Sequence, residues 1–445
     1  MKLPRFTRTL LVSIIGLFAL ASYAPTTAHD RHHYPYTFYD VGTLGGPQNY
    51  HNFPGPELNN RGMLALFSDI PALDPRHDTP SLCFNGDCYR SHAAFWQNGH
   101  LTDLGAFPGL TSSTANAISA NGRYLVGVST DGTLDPASGA PVFRAVRYAH
   151  HQVTDLGTLG GSFSNALDVN NAGLVVGAAQ NAIPDPFAGN RVGLPSTTQT
   201  RAFLWQHGVM KDLGTLGGND AEADFINARG QIAGSSFTST VANPTTQQPT
   251  QHPFLWERGS MVDLGSLGGT SGYPIALNDQ GQVVGSMNLA GDQAHHAFLW
   301  KQGRLIDLGT LGGNTSDALW ENAVGHVVGR ADLPGSAAHV AFLWRDGTMH
   351  NLGLLSGDEC STATGINDSD QVVGGSGICG VGGHAWLWDH GTLVNLSDLV
   401  APVAGWSAQV HAAFYINDSG IIYGVGVLAN GDEHAVMLVP NTAAK

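Results

Sequence analysis

Residues 296–329 read HAFLWKQGRLIDLGTLGGNTSDALWENAVGHVVG, and pieces of this segment recur along nearly the whole chain. An apolar run ends in an aromatic residue at Trp96, Tyr148, Trp205, Trp256, Trp300, Trp344 and Trp388. Seven residues further on stand Asp103, Asp155, Asp212, Asp263, Asp307, Asn351 and Asn395, most of them opening a Leu-Gly pair. A third landmark, Asn-x-x-Gly before a run such as QVVG, begins at Asn59, Asn170, Asn227, Asn278, Asn322 and Asn417, with variants at Ser119 and Asn367. A period of roughly 44 to 60 residues restricts the chain to a repeat architecture.

Each unit reads as four short strands. A small-residue segment such as SNALDVN is followed by the Asn-x-x-Gly turn, then by a strand such as LVVGAA, an AFLW-type strand and a segment such as VMKDLG. Asn caps such a turn with its side chain, and Gly accepts the positive φ the turn requires. No helix-length amphipathic pattern follows residue 30. Four strands in a unit of this length define a β-propeller blade; a β-helix coil would be about half as long. The last unit ends in a third strand (residues 434–438) with no fourth, and residues 36–42 form a fourth strand with no third before it. Pairing the two closes a ring and removes two sheet edges. The expectation is an all-β, eight-bladed β-propeller of four-stranded blades, its ring closed by pairing the N-terminal strand with the C-terminal blade.

The recurring HAFLW and DLGTLGG motifs resemble those of the HAF-repeat extracellular proteins, named for a His-Ala-Phe that stands here at His296, Ala297 and Phe298. The resemblance covers about residues 36–440. It implies secretion and a repeat fold, and brings no defined activity with it.

The start of the chain agrees with export. Lys2, Arg5 and Arg8 precede an apolar stretch over residues 10–21, too short for a membrane span, and small residues lead to a favoured cleavage after Ala28. The expected organisation is a signal peptide (1–28), a leader (29–35) carrying His29, His32 and His33, one propeller domain (36–440) and a short tail (441–445). The product is expected to be secreted, to the periplasm or the cell exterior. Losing Lys2, Arg5 and Arg8 takes the formal charge from −15 to about −18. Such a balance attracts neither nucleic acid nor anionic lipid. No membrane insertion is expected, and the ring reads as a monomer. Export makes disulfides the default for the four cysteines, paired as Cys83–Cys88 and Cys360–Cys379. Their spacing is no zinc pattern.

Four residues before the aromatic landmark a base nearly always occurs, and a regular hairpin places it near the Asp of the fourth strand. The expected pairs are His92–Asp103, Arg144–Asp155, Arg201–Asp212, His252–Asp263, His296–Asp307 and His434–Asp40. Where Val340 replaces the base, Asn351 replaces the acid; His384 faces Asn395 and breaks the rule. Six copies of one pair read as cross-strand structure rather than catalysis. Gly55, Ala115, Ala166, Ala223, Pro274, Ala318, Ala363 and Ala413 form a small-residue column suited to the crowded innermost strands.

Long loops follow the second strand in the first four units, at about 69–91, 130–142, 180–199 and 238–250. Phe84, Tyr89, Phe187 and Trp406, on or near the loop-bearing face, are the candidate ligand-binding aromatics. Asp69, Asp74, Asp78 and Asp87 have no calcium-loop spacing, so no metal and no cofactor is expected. HExxH, G-x-S-x-G and P-loop signatures are absent, and no catalytic residue is assigned. The primary reading is a binding or interaction module for an extracellular glycan or protein. The alternatives are a polymer-acting hydrolase or lyase at the propeller axis, with Asp358, Glu359 and His411 as residues to inspect, and a surface scaffold. A site would show itself as residues that break the eightfold pattern.

Overall fold

The computed structural model describes residues 34–50, 55–74, 77–78, 83, 85–130, 132–136, 139, 142–150, 152–188, 197–335, 338–379 and 383–441. The expected signal peptide, most of the expected leader and Phe84 lie outside the described residues. The described chain is all-β, with 33 strands and a 3-10 turn over Leu396–Leu399. Its strands form seven sheets among the described residues, and the one of eight strands consists of two four-stranded halves joined by the parallel pair Gln251–Ser271. All but one of the four-stranded groups run antiparallel in chain order, as in Ala221–Ile226, Ile232–Phe237, Gln251–Glu257 and Ser260–Asp263.

The sheet that ends the chain also contains its start. Tyr36–Asp40 pairs antiparallel with Glu433–Pro440, in register from Tyr36 opposite Pro440 to Asp40 opposite Val436. Trp406–Ile416 and Ile422–Leu428 complete that sheet.

One asparagine per unit explains the hairpin landmark. In the turn after Gly160–Val169, Asn170 Oδ1 accepts from the backbone of Ala172 and Leu174, while Gly173 adopts a φ of 76°. The same side chain's Nδ2 donates to the carbonyl of Asn227, the corresponding residue of the next unit, at 3.2 Å. The relay continues from Asn227 to Asn278 at 3.0 Å, to Asn322 at 3.1 Å, to Asn367 at 3.2 Å and to Asn417 at 3.1 Å. Asn417 donates to Asn59 at 3.0 Å, and Asn59 to Ser119 at 3.2 Å. Ser119 lacks the amide, and Asn121 substitutes by donating to Asn171 at 3.2 Å. The chain of bonds thus returns to its starting unit.

A bulge precedes most of these turns, for example between Ala223 and Phe225 and between Ala318 and Trp320. It brings a first-strand carbonyl against the second strand, where a Cβ on Gly234 or Gly329 would land on the oxygen of Glu222 or Asp317. The glycine of the QVVG run is therefore a packing requirement.

The core lies between sheets. Val176 and Ala202 of one sheet meet Ala223, Ile226, Ile232, Phe254 and Trp256 of the next. The last sheet meets the first in the same way, Tyr423, Ala435 and Met437 packing on Leu64, Leu66, Ala94 and Trp96.

Candidate functional site

The two ends of the sheets differ in construction. At the end bearing the connections from fourth to first strand, the base–acid pairs are formed: Nδ1 of His92, His252, His296 and His434 lies 2.8–3.0 Å from Asp103, Asp263, Asp307 and Asp40. Arg144 reaches Asp155 at 2.7 Å and Arg201 reaches Asp212 at 3.0 Å. The register sets Asp212 opposite Phe203 rather than Arg201, so the contact is diagonal. Each acid also accepts from a backbone N–H two residues on, as Asp212 does from Gly214 at 2.8 Å. Asn351 keeps that turn by accepting from Gly353, and Asn395 by accepting from Ser397. An amide suffices for the turn, which accounts for the paired loss at Val340 and Asn351. His384 turns instead to Asp358, at 3.1 Å.

At the hairpin end, a cavity of about 410 Å³ is lined by turn residues drawn from units along the whole chain. The residue before the landmark Asn is aliphatic at Leu58, Ile118, Val169, Ile226, Leu277, Ile366 and Ile416, but in one unit it is Glu321. One position earlier stand Ala117, Phe225, Ala276, Trp320, Gly365 and Tyr415, and two acids, Glu57 and Asp168.

Asp168 is buried, with Oδ1 accepting from Val169 N–H at 2.6 Å and Oδ2 from Ile226 N–H at 2.8 Å. Burial nevertheless pushes its carboxyl up to about 7. Glu321 is 5% exposed. Its Oε2 accepts from Asn278 Nδ2 at 3.1 Å, while its buried Oε1 has no partner among the described residues. Burial holds the Glu321 carboxyl well above the usual range, against the opposing effects of the Asn278 bond and the Lys301 charge. Trp320 meets Tyr415 edge to face, with ring centroids 5.2 Å apart. Burial pushes the Tyr415 and Tyr423 hydroxyls well up, and the nearby Glu57 adds to the effect.

The rim is acidic. Asp279, Asp368 and Asp418 are exposed and accept from the backbone of Ala228, Ala323 and Asp368 at 2.9–3.0 Å. The cavity lining contains no Lys, Arg or His among the described residues.

A second cavity of about 280 Å³ lies at the other end, lined in part by Arg330, His339, His411 and the disulfide-bonded Cys360. Arg330 is engaged by Asp317 at 2.9 Å, and His295 reaches the same carboxylate at 3.1 Å. Burial would raise Asp317, but bonds from His295, Ser286 and Arg330 outweigh it and hold the carboxyl far below its usual range.

The candidate aromatics within the described residues do not share one sheet. Tyr89 opens the strand Tyr89–Gln97 and its N–H donates to Asp87 at 3.1 Å. Phe187 lies in the turn after Val175–Pro184, and Phe84 is outside the described residues. Trp406 packs edge-on against Phe38 at 5.2 Å and His434 at 6.0 Å, at the seam with the N-terminal strand. Of the residues marked for inspection, Asp358 pairs with His384, Glu359 donates its N–H to Gly377, and His411 lines the second cavity. The cysteines are bonded as Cys83–Cys88 and Cys360–Cys379, with Cα atoms 5.2 and 5.0 Å apart. Among the described residues no helix is long and apolar enough to cross a membrane, and no cluster of His, Cys, Asp and Glu could hold a metal ion. Sequence reasoning missed Asp168, Trp320 and Glu321; aligning the two positions before each landmark Asn would have exposed them.

No family model and no curated protein matches the chain. Among solved structures it is similar to the β-propeller domain of the Trilobed protease from Pyrococcus furiosus, at 11% identity over 80% of this chain and 100% of that one, with a TM-score of 0.42. It is also similar to dipeptidyl peptidase 4 of Porphyromonas gingivalis (14% identity, 85% of this chain and 50% of that one, TM-score 0.37). A third is the GH74 xyloglucanase of Xanthomonas campestris (12% identity, 92% and 75%, TM-score 0.32). Likenesses at this level bring no activity to this chain.

Proposed function

We propose that the chain is a secreted HAF-repeat protein folded as an eight-bladed β-propeller, its ring closed by Tyr36–Asp40, and that it works as a binding module. The strand pairing at the chain ends, the returning asparagine relay and the packing of the last sheet on the first support the ring. The two disulfides fit an oxidising compartment.

The ligand site is the axial cavity at the hairpin end, in preference to the loop-bearing face. One observation carries this choice: the repeat pattern breaks there, and the break leaves the buried Glu321 Oε1 without a partner. An unsatisfied buried oxygen costs about 1–3 kcal/mol. A core position that is aliphatic in the other units has no structural use for that cost, whereas a binding site does. Hydrolysis at the axis is the second reading, favoured by an Asp168 carboxyl poised near neutrality.

The test is a thermal-shift and calorimetric screen of glycans, peptides and small metabolites, with product release followed in parallel. Wild type is compared with Trp320→Ala and with a chain lacking residues 180–199. Loss of binding in Trp320→Ala with retention in the loop deletion supports the axial site; the reverse result returns the site to the loop face.

A further inference from the structure

We infer that the axial cavity receives a small aliphatic polyamine, its ammonium groups met by Glu321 and the rim carboxylates. The inference rests on the axial binding reading and names its ligand class.

The argument turns on which hydrogen-bonding groups remain. Most of the side-chain amides near the mouth are already engaged. The amides of Asn59, Asn170, Asn227, Asn278, Asn322, Asn367 and Asn417 all donate to neighbouring turns, and Asn60 Nδ2 donates to Asp418. Beside the Asn171 amide, the Trp320 indole N–H and the Tyr415 hydroxyl, what remains is mostly acceptor capacity: Oε1 of Glu321, and the second carboxylate oxygens of the exposed Asp279 and Asp368, whose Oδ1 atoms hold the backbone. A sugar presents donors and acceptors in similar number and would find few donors here. A ligand that mainly donates fits the inventory best.

Charge selects further. Acidic side chains at Asp168, Asp279, Glu321, Asp368 and Asp418 line the cavity, the three at the rim being exposed, and no basic side chain does so among the described residues. The exposed rim acids favour a cation, and an ammonium group brought to Oε1 of Glu321 would offset the burial that now favours its neutral form, so a ligand with more than one positive centre suits both depths. The half-buried Trp320 adds an aromatic surface for an ammonium group or its methylene neighbours. A bare metal ion fits poorly, because no three potential ligands converge among the described residues.

The experiment is titration calorimetry of the secreted chain with spermidine at low and moderate salt, repeated on Glu321→Gln and on the Asp279→Asn/Asp368→Asn double variant. Trp320 fluorescence, taken as the difference from Trp320→Phe, reports occupancy. One site that weakens at least tenfold in Glu321→Gln and again in the double variant supports the inference. Equal binding to wild type and Glu321→Gln overturns it as diffuse attraction to an acidic surface, and so does magnesium or calcium binding as tightly as spermidine. If a neutral oligosaccharide or peptide gives the Trp320 signal and spermidine does not, the polyamine falls and the axial site stands. If no probe gives a Trp320-dependent signal while binding is found elsewhere, both fall.

Discussion

The two ends of the sheets hold together by different chemistry. At the hairpin end, neutral amides form a relay that passes from unit to unit and is largely buried. At the opposite end, base–acid pairs such as His252–Asp263 stay within their own sheets and are partly exposed, the two side chains being 20% and 45% accessible, and His295 with Asp317 is an exception that crosses to the next sheet. Bonds that cross between sheets fix their relative placement, whereas bonds within a hairpin only trim its edge. The difference teaches where change can be tolerated. The loop end can vary its pairs, as Val340 with Asn351 and His384 with Asp358 show, but the amide relay gives way only where Asn121 replaces it.

Asn227→Ala should break this comparison most severely. Its Oδ1 accepts from Arg229 and Gln231, and its Nδ2 donates to Gln231 Oε1 and the Asn278 carbonyl. Removing the side chain orphans buried groups on two sheets, at a cost of about 2–4 kcal/mol. Denaturant unfolding measures it; a loss below about 1 kcal/mol would mean that the relay decorates the sheets rather than holding them together. Asn227→Asp keeps the turn acceptor and loses the donor, so it should fall between.

The second effect is on pH dependence. Burial pushes the Asp168 carboxyl up to about 7 in the folded chain, from the ordinary aspartate value of 3.8. Its folded-state value is raised, so the unfolded chain releases the proton first, and stability falls as pH rises from about 4 to about 7. The integrated effect is of the order of a few kcal/mol. The pair at the other end has the opposite acid limb. Asp40 is lowered despite burial, by its bonds to His434 and Gly42, so its contribution is present above about pH 4 and lost as pH falls further. His434 is raised, chiefly by its Asp40 bond, so its share is present below about pH 6.5 and fades as pH climbs through the raised value. Asp168→Asn should flatten the decline between pH 4 and 7 and leave the loss below pH 4 in place. An unchanged profile would mean that the Asp168 proton does not report on folding.

The repeat, the strand count within each unit and the pairing of the chain ends are all legible in the sequence, because each follows from a period or from two incomplete units. The role of the Asn-x-x-Gly turn is legible only in part. Its local cap can be read from the residues, but its Nδ2 bond to the neighbouring unit cannot, since that depends on how the sheets stack. The diagonal reach of Arg201 to Asp212 needs the register. Trp406 looks like a loop aromatic by position, yet the N-terminal strand arrives beside it and Phe38 covers it. Asp168 and Glu321 are hidden for another reason: lone acids in an apolar column resemble ordinary surface variation until burial is known.

Glu321→Leu should act in the direction opposite to most core substitutions. Leucine restores the aliphatic character found at Leu58 and Leu277, removes the unpartnered Oε1 and leaves Asn278 with its bonds to Gln282 and the Asn322 carbonyl. A gain of about 1 kcal/mol is expected, read as a melting temperature roughly 1–3 °C higher, with axial binding lost. A destabilised variant would show that the carboxyl supports the fold, and the case for a binding role would weaken accordingly.

The smallest effect is expected at the loop end. His252→Ala removes one partner of an exposed pair, while Asp263 keeps its turn bond to Gly265 at 2.7 Å. Pairs of this exposure contribute about 0.2–1 kcal/mol, and salt screens them. The loss should therefore be under about 1 kcal/mol and shrink further in high salt, where Asn227→Ala keeps its full cost. The salt response is the sharper readout, because it separates a His–Asp contact within one hairpin from an amide contact between sheets even if the two costs happen to be similar. If His252→Ala proves as damaging as Asn227→Ala and as indifferent to salt, the two ends are not built on different principles.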